Sequence, residues 1–126
     1  MVVTEAVDAT SLLELRKLQR PGTPDVVGRI LNRFFEESTE RVASLHAAVA
    51  TDDGRALERT AHALKGIAGT VGAHEVGDLA VRLEHIGREG RGAGGAAELV
   101  SELEAALARA RATYQRVLEL PGGPAS

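Results

Sequence analysis

Residues 60–73 read Thr60-Ala-His-Ala-Leu-Lys-Gly-Ile-Ala-Gly-Thr-Val-Gly-Ala73, and the phase of this stretch decides the fold and where its chemistry faces. At about 100° per residue, Leu57, Ala61, Leu64, Ala68 and Val71 fall on one stripe of a helix. His62 lies roughly 160° from Leu64 on the same wheel, so it points away from that stripe. Arg55, Glu58, Arg59, Lys65, Gly66 and Gly69 share its outer face. The pattern is an exposed imidazole beside cations, with no bulky side chain one or two turns beyond it.

A lone histidine in a helical protein is ordinarily a packed or solvated residue with no chemistry of its own. The two glycines on its side of the helix argue for more. Gly66 costs about 1 kcal/mol relative to alanine in a helix interior, and Gly69 repeats the cost, so something must approach closely there. A neutral imidazole nitrogen is a nucleophile near neutral pH. Lys65 and Arg59 are placed to offset the negative charge of a phosphoryl group on or near it.

The segments on either side read as helices that hold this one. Thr51-Asp52-Asp53-Gly54 is a turn that also supplies N-caps for the His62 helix. Gly69, Thr70 and Gly72 bring that helix to its end. Upstream, Val27, Leu31, Phe34, Ser38, Val42, Leu45 and Val49 recur at helical spacing for about seven turns, with Glu36, Glu37 and Glu40 on the outer side. Thr23-Pro24-Asp25 begins this long helix, offering a capping side chain, a proline at the first helical position and an acid near the positive end of the dipole. Before it, Asp8 or Thr10 caps a short helix with Leu12, Leu13, Leu15 and Leu18 as its apolar residues, ended by Arg20-Pro21-Gly22.

Downstream, Val76, Leu79, Ala80, Leu83 and Ile86 form the buried side of a fourth helix. The run from Arg88 to Gly95 reads as a flexible connection. A last helix carries Leu99, Leu103, Ala106, Leu107, Ala110, Tyr114 and Val117 and stops before Pro121-Gly122-Gly123-Pro124. No strand-like alternation interrupts the series. The expected fold is all-α: an antiparallel up-down four-helix bundle with an additional short N-terminal helix packed across one end. Residues 1–126 make one domain, ordered over roughly 10–120, with a flexible tail at 121–126.

Composition supports this and removes several function classes. At 126 residues the chain suits one domain with a proper core, and 44% hydrophobic with 26% charged residues is ordinary for a soluble globule. Phe34, Phe35 and Tyr114 are the only aromatic residues, so the core must be built of Leu, Val, Ile and Ala, which favours close-packed helices. A net charge of -3 gives no electrostatic reason to expect nucleic-acid binding. The absence of cysteine excludes disulfide and thiolate chemistry. No run spans a membrane and the N-terminus lacks a signal-peptide pattern, so a cytoplasmic, monomeric protein is expected.

Other motifs carry little. Residues 90–95 formally contain GxGxxG, but the dinucleotide fingerprint needs a strand before it, and here a helix precedes it. No GxxxxGK or GxSxG occurs. Di-iron bundles use Glu-x-x-His pairs facing inward, yet the residues three before His46, His62, His74 and His85 are Ala43, Arg59, Val71 and Arg82. No metal site is expected.

Residues 62–73 also resemble the His-x-Leu-Lys-Gly…Gly-Ala signature of histidine phosphotransfer (HPt) domains of two-component phosphorelays. The likeness extends to Leu83-Glu84 and, more loosely, to the acidic, Phe-containing helix upstream, over roughly residues 10–118. It implies that His62 is the phosphoryl acceptor, with Lys65 and Gly66 its usual neighbours and Gly72-Ala73 the following turn. Many members carry Ser where this chain has Ile67. That position lies roughly 140° from His62, so a core-facing packing variant is expected.

The resemblance further implies phosphoryl exchange with response-regulator receiver domains or a sensor histidine kinase, with no cofactor of this chain's own and Mg²⁺ on the receiver. Arg59, Gly66 and Gly69 would lie on the docking face. Glu84 has two readings: a carboxylate accepting from Nδ1–H of His62, which fixes Nε2 as the nucleophile, or a solvated residue at the edge of the stripe. Two alternatives stand beside the relay. One is a non-catalytic helical interaction module, and the other is a kinase-linked domain phosphorylated by an ATP-dependent histidine kinase.

Overall fold

A computed structural model describes residues 2–22, 24–90 and 95–118. Over them the chain forms helices α1 (Thr10–Leu18), α2 (Val26–Ala50), α3 (Gly54–Val71), α4 (His74–Glu89) and α5 (Ala96–Val117). Each of α2 to α5 packs on its neighbour in sequence, and α2 also packs on α5, which closes an up-down four-helix bundle. The α3–α4 link consists of Gly72 and Ala73 alone, so those two helices must run antiparallel in contact. Among the described residues the only pairing of extended backbone is an isolated antiparallel bridge between Val3 and Asp8.

The caps explain the boundaries. Asp53 accepts from the Ala56 N–H at 3.0 Å to start α3, as its place after Thr51-Asp52 suggested. Gly72, at φ +74°, ends it. A Cβ on Gly72 would also sit 2.0 Å from the carbonyl oxygen of Asp8, so only glycine fits. The start of α2 differs from the sequence reading: Pro24 is not the first helical residue. Asp25 is itself the N-cap, accepting from Gly28 at 2.9 Å, and the Gln19 side-chain oxygen accepts from Val26 at 2.8 Å. With those N–H groups satisfied, the helix begins after Asp25. Thr23, the expected capping residue, lies outside the described residues. In α1 neither expected cap holds the N-cap position, which is Ala9; Asp8 accepts from the Thr10 N–H at 3.0 Å.

Leu45, Leu64, Leu83, Leu103 and Tyr114 fill the core, and Ala61, Ala68, Ala80, Ala106 and Ala110 let the helices approach. Phe34 and Phe35 meet edge to face at 4.9 Å, and Arg111 covers the Phe35 ring at 4.2 Å. The Tyr114 hydroxyl donates to the Val71 carbonyl, and its burial, with the Asp8 charge adding, pushes the phenol pKa up.

Three apolar expectations shift. Leu18 is 80% exposed rather than packed, and in α1 only Leu12 is buried. Val49 and Ile86 are half-buried, while Ala48 and Gly87 occupy the buried positions next to them. The N-terminal segment, to which the sequence pattern gave no role beyond a cap at Asp8, is integral. Val7 and Ala9 are fully buried, Asp8 N–H donates to Gly72 at 2.8 Å, and His74 Nε2 bonds the Glu5 carbonyl at 2.8 Å. Residues 2–9 therefore bind the α3–α4 turn. The centre of the Gly-rich run at 91–94 and the tail at 121–126 lie outside the described residues.

Candidate functional site

His62 sits at the middle of α3, and the stripe beneath it is buried as its phase requires: Leu57, Ala61, Leu64, Ala68 and Val71 all face the core. Its side chain is 64% exposed. Beyond it, a Cβ added to Gly66 or Gly69 would meet nothing within 4 Å. The helix therefore presents the imidazole above an open surface. Ile67 is half-buried against the edge of the core, on the side of α3 toward α2 with Ile30 and Phe34.

Glu84 comes from α4, directly across the α3–α4 contact. It is buried, so the solvated reading of this residue does not hold. One oxygen, Oε2, lies 2.8 Å from His62 Nδ1 and 3.0 Å from Arg88 Nη2, and the other, Oε1, lies 3.5 Å from Lys65 Nζ. Burial by itself raises the Glu84 pKa. The hydrogen bond from His62 and the charges of Lys65, His62 and Arg88 outweigh it, and the net direction is down. An ionised carboxylate only accepts hydrogen bonds, so His62 Nδ1 must carry the proton in this pair. In the neutral ring Nε2 is then the atom with the free lone pair.

Lys65 is half-buried and ion-paired with Glu84 rather than extended into solvent beside the ring. Arg59 is exposed, with no ion-pair partner among the described residues. A shallow groove of about 370 Å³ continues from Lys65 and Gly69 along the α3–α4 seam, floored by Ala68, Ala73 and Gly77. Lys65, at the head of the groove, lies one turn from His62 on the same helix. Among the described residues no three His, Asp or Glu side chains are grouped so as to hold a metal ion.

Sequence reasoning missed Arg88, which it placed in a flexible connection. The residue is in the last turn of α4, where it bonds Glu84 and donates from Nε to Glu58 Oε2 at 2.9 Å. Helix α4 continues to Glu89 and ends only where Gly90 adopts φ +66°. The signal was present as Glu84 and Arg88 at i and i+4, with the acid N-terminal as favours such a pair. It was masked by the glycines that follow.

Among the described residues two exposed histidines bond a carboxylate, His46 to the exposed Glu104 and His62 to Glu84, and only at His62 is that carboxylate buried. A helical bundle with such a histidine on its surface is the frame of a helical phosphotransfer module, the class to which the family match assigns the chain. The family model described as the Hpt domain matches residues 29–113, and the chain belongs to that family. Histidine-containing phosphotransfer protein 2 of Arabidopsis thaliana is 37% identical over 71 residues, covering 54% of this chain and 46% of that protein. Histidine-containing phosphotransfer protein 5 of the same plant is 31% identical over 71 residues, 54% of this chain and 45% of that protein. The chain thus spans about half the length of the curated relatives it matches. The crystal structure of histidine-containing phosphotransfer protein B (HptB) from Pseudomonas aeruginosa PAO1 superposes with a TM-score of 0.80 at 28% identity, over 95% of this chain and all of that one.

Proposed function

We propose that this domain is a phosphoryl carrier of a two-component phosphorelay, with His62 as the acceptor. The observation that carries the reading is the Nδ1 to Glu84 bond at 2.8 Å, which leaves Nε2 of a solvent-facing ring as the nucleophile. Nε2 attacks the phosphorus of an aspartyl phosphate on a receiver domain; the N–P bond forms as the acyl O–P bond breaks, and the aspartate leaves as carboxylate. The phosphorylated ring retains its Nδ1 proton and is cationic, and the Glu84 carboxylate balances that charge. Reversal onto a second receiver, or loading by a sensor histidine kinase, uses the same geometry.

Most of the charge stabilisation at phosphorus belongs to the receiver and its Mg²⁺ in this scheme, and the carrier needs no cofactor of its own. Gly66, Gly69 and the groove beside Lys65 admit the partner, and Arg59 is free to meet its acidic site. Lys65 tunes Glu84 and adds positive potential. A monomer acting in the cytoplasm suffices for this role; no helix of the described residues is long and apolar enough to cross a membrane.

The test is transfer of label from receiver domains phosphorylated on aspartate. Label should arrive on the wild-type chain, be lost in acid and survive base, as an N–P bond requires, and be absent from His62→Gln. Equal labelling of His62→Gln would refute the assignment. A wild-type chain that binds receivers without taking label would instead be an interaction module.

A further inference from the structure

Arg88 joins two carboxylates that belong to different helices. Its Nε donates to Glu58 on α3 at 2.9 Å and its Nη2 to Glu84 on α4 at 3.0 Å. Glu58 is one turn before His62, and Glu84 is the residue that bonds His62 Nδ1. The guanidinium therefore closes a ring of contacts that runs from α3 through Arg88 and Glu84 back to the imidazole. It can do so because the two helices touch just there. A Cβ on Gly87 would lie 2.6 Å from both the Glu58 N and the Gly54 oxygen, so the backbones are at contact distance beside Arg88.

Glu84 alone has two oxygens and a carboxylate torsion that is broad rather than stepped. His62 holds one side of Oε2, and among the described residues only Arg88 holds the other side of the same oxygen. Lys65, at 3.5 Å from Oε1, is a longer and less directional partner. A planar fork anchored on Glu58 is the contact that fixes where Oε2 points.

We infer that Arg88 is a positioning residue for His62: by bridging Glu58 and Glu84 it holds the carboxylate where it keeps the imidazole in the Nδ1–H form, with Nε2 facing out. Arg88 reaches the ring only through Glu84 Oε2, the oxygen that both bond, and touches no reacting group. This inference rests on the phosphotransfer reading for its importance, but not for its test.

Nitrogen-15 spectra of the His62 ring distinguish the Nδ1–H and Nε2–H forms directly. The wild-type chain should show the Nδ1–H form and Arg88→Ala a mixture with Nε2–H. Arg88→Lys, which restores a charge beside Glu84 but not the fork, should recover the Nδ1–H form in part. Potassium phosphoramidate supplies a second readout without any docked protein: its P–N bond breaks, ammonia leaves, and the new bond forms to His62. Phosphorus-31 spectra should show Arg88→Ala accepting phosphate about tenfold more slowly, by analogy with the low end of what losing the group behind a metal-bound histidine costs. Thermal melts on the same samples show that the variants are folded, and Glu58→Ala, which frees the fork from its anchor, should move the ring in the same direction as Arg88→Ala. An Arg88→Ala ring with the wild-type tautomer would overturn the inference, as would a wild-type ring in the Nε2–H form. If the wild-type chain took no phosphate from receivers or phosphoramidate, the phosphotransfer reading would fall while the tautomer spectra still decided Arg88.

Discussion

Replacing Gly87 by alanine tests the contact on which the site's geometry depends. The added Cβ would stand 2.6 Å from the Glu58 N, 2.6 Å from the Gly54 oxygen and 3.0 Å from the Glu58 Cα, all backbone atoms of the facing helix. None of them can rotate aside, so α3 and α4 must separate. Overpacking of this kind costs about 1–3 kcal/mol. The gain in helix propensity is at most about 1 kcal/mol and less here, because Gly87 lies in the last turn of α4. A net loss of about 2 kcal/mol follows from these two terms. Gly66→Ala is the control. Its Cβ would meet nothing within 4 Å and the site is mid-helix, so it should gain up to about 1 kcal/mol. At roughly 3–5 °C per kcal/mol for a domain of this size, the two variants should melt about 10 °C apart on either side of wild type, followed by far-ultraviolet circular dichroism. If Gly87→Ala were as stable as Gly66→Ala, the close α3–α4 contact would not exist, and the Arg88 bridge beside it would lose its basis.

Two further expectations concern the helix phase and the buried acid. Leu64→Ala should cost about 2–5 kcal/mol through a cavity, since Leu64 is wholly buried, whereas Lys65→Ala, one residue on, should change stability by no more than about 1 kcal/mol; urea titrations that rank them the other way would mean that the face of α3 is misassigned. The Glu84 pKa is held below the ordinary carboxylate value of 4.5 in the folded chain, so its ionic contacts contribute stability that is fully present above that value and is lost as pH falls through the lower folded one. Glu84→Gln should accordingly unfold at lower urea than wild type at neutral pH, with the gap narrowing below pH 4.5; a gap that does not change with pH would show that Glu84 contributes by shape and not by charge.

The outward phase of His62 and the cap at Asp53 were legible because each is a local property. A helix wheel and an Asp before a helical run need no knowledge of what packs against them. Glu84 was half legible: its place beside the stripe allowed contact with His62, but only the α3–α4 register turns a residue at the edge of a stripe into a buried one. Gly87 was not legible at all, and of Arg88 only its place four residues after Glu84 was. Nothing local marks the glycine at 87, and the reason for it lies in Gly54 and Glu58, about thirty residues away in the chain. The same holds for residues 2–9, whose order comes from hydrogen bonds to Gly72 and His74 rather than from any periodicity of their own.

Gly77 aside, whose Cβ would make an ordinary contact with Ala68 at 3.9 Å, the glycines of α3, α4 and the turn between them fall into two groups, and the difference bears on function. Gly54, Gly72 and Gly87 each face backbone that a Cβ would strike, so the fold itself accounts for them. Gly66 and Gly69 face open space, and no contact within the described residues offsets the roughly 1 kcal/mol that each costs its helix. The first group draws α3 against α4 and against the N-terminal segment at its two ends, so the helix between them is held on a rigid frame. The second group lies between those ends, on the His62 side. A side chain at 66 would lean toward the N-terminus and over the imidazole, as helical side chains do. On the proposed reading of His62 as phosphoryl acceptor, fixing the helix while leaving its outer surface bare is what a nucleophile requires if a bulky partner must come to it, and that reading supplies a cause for two losses of stability that packing alone does not explain.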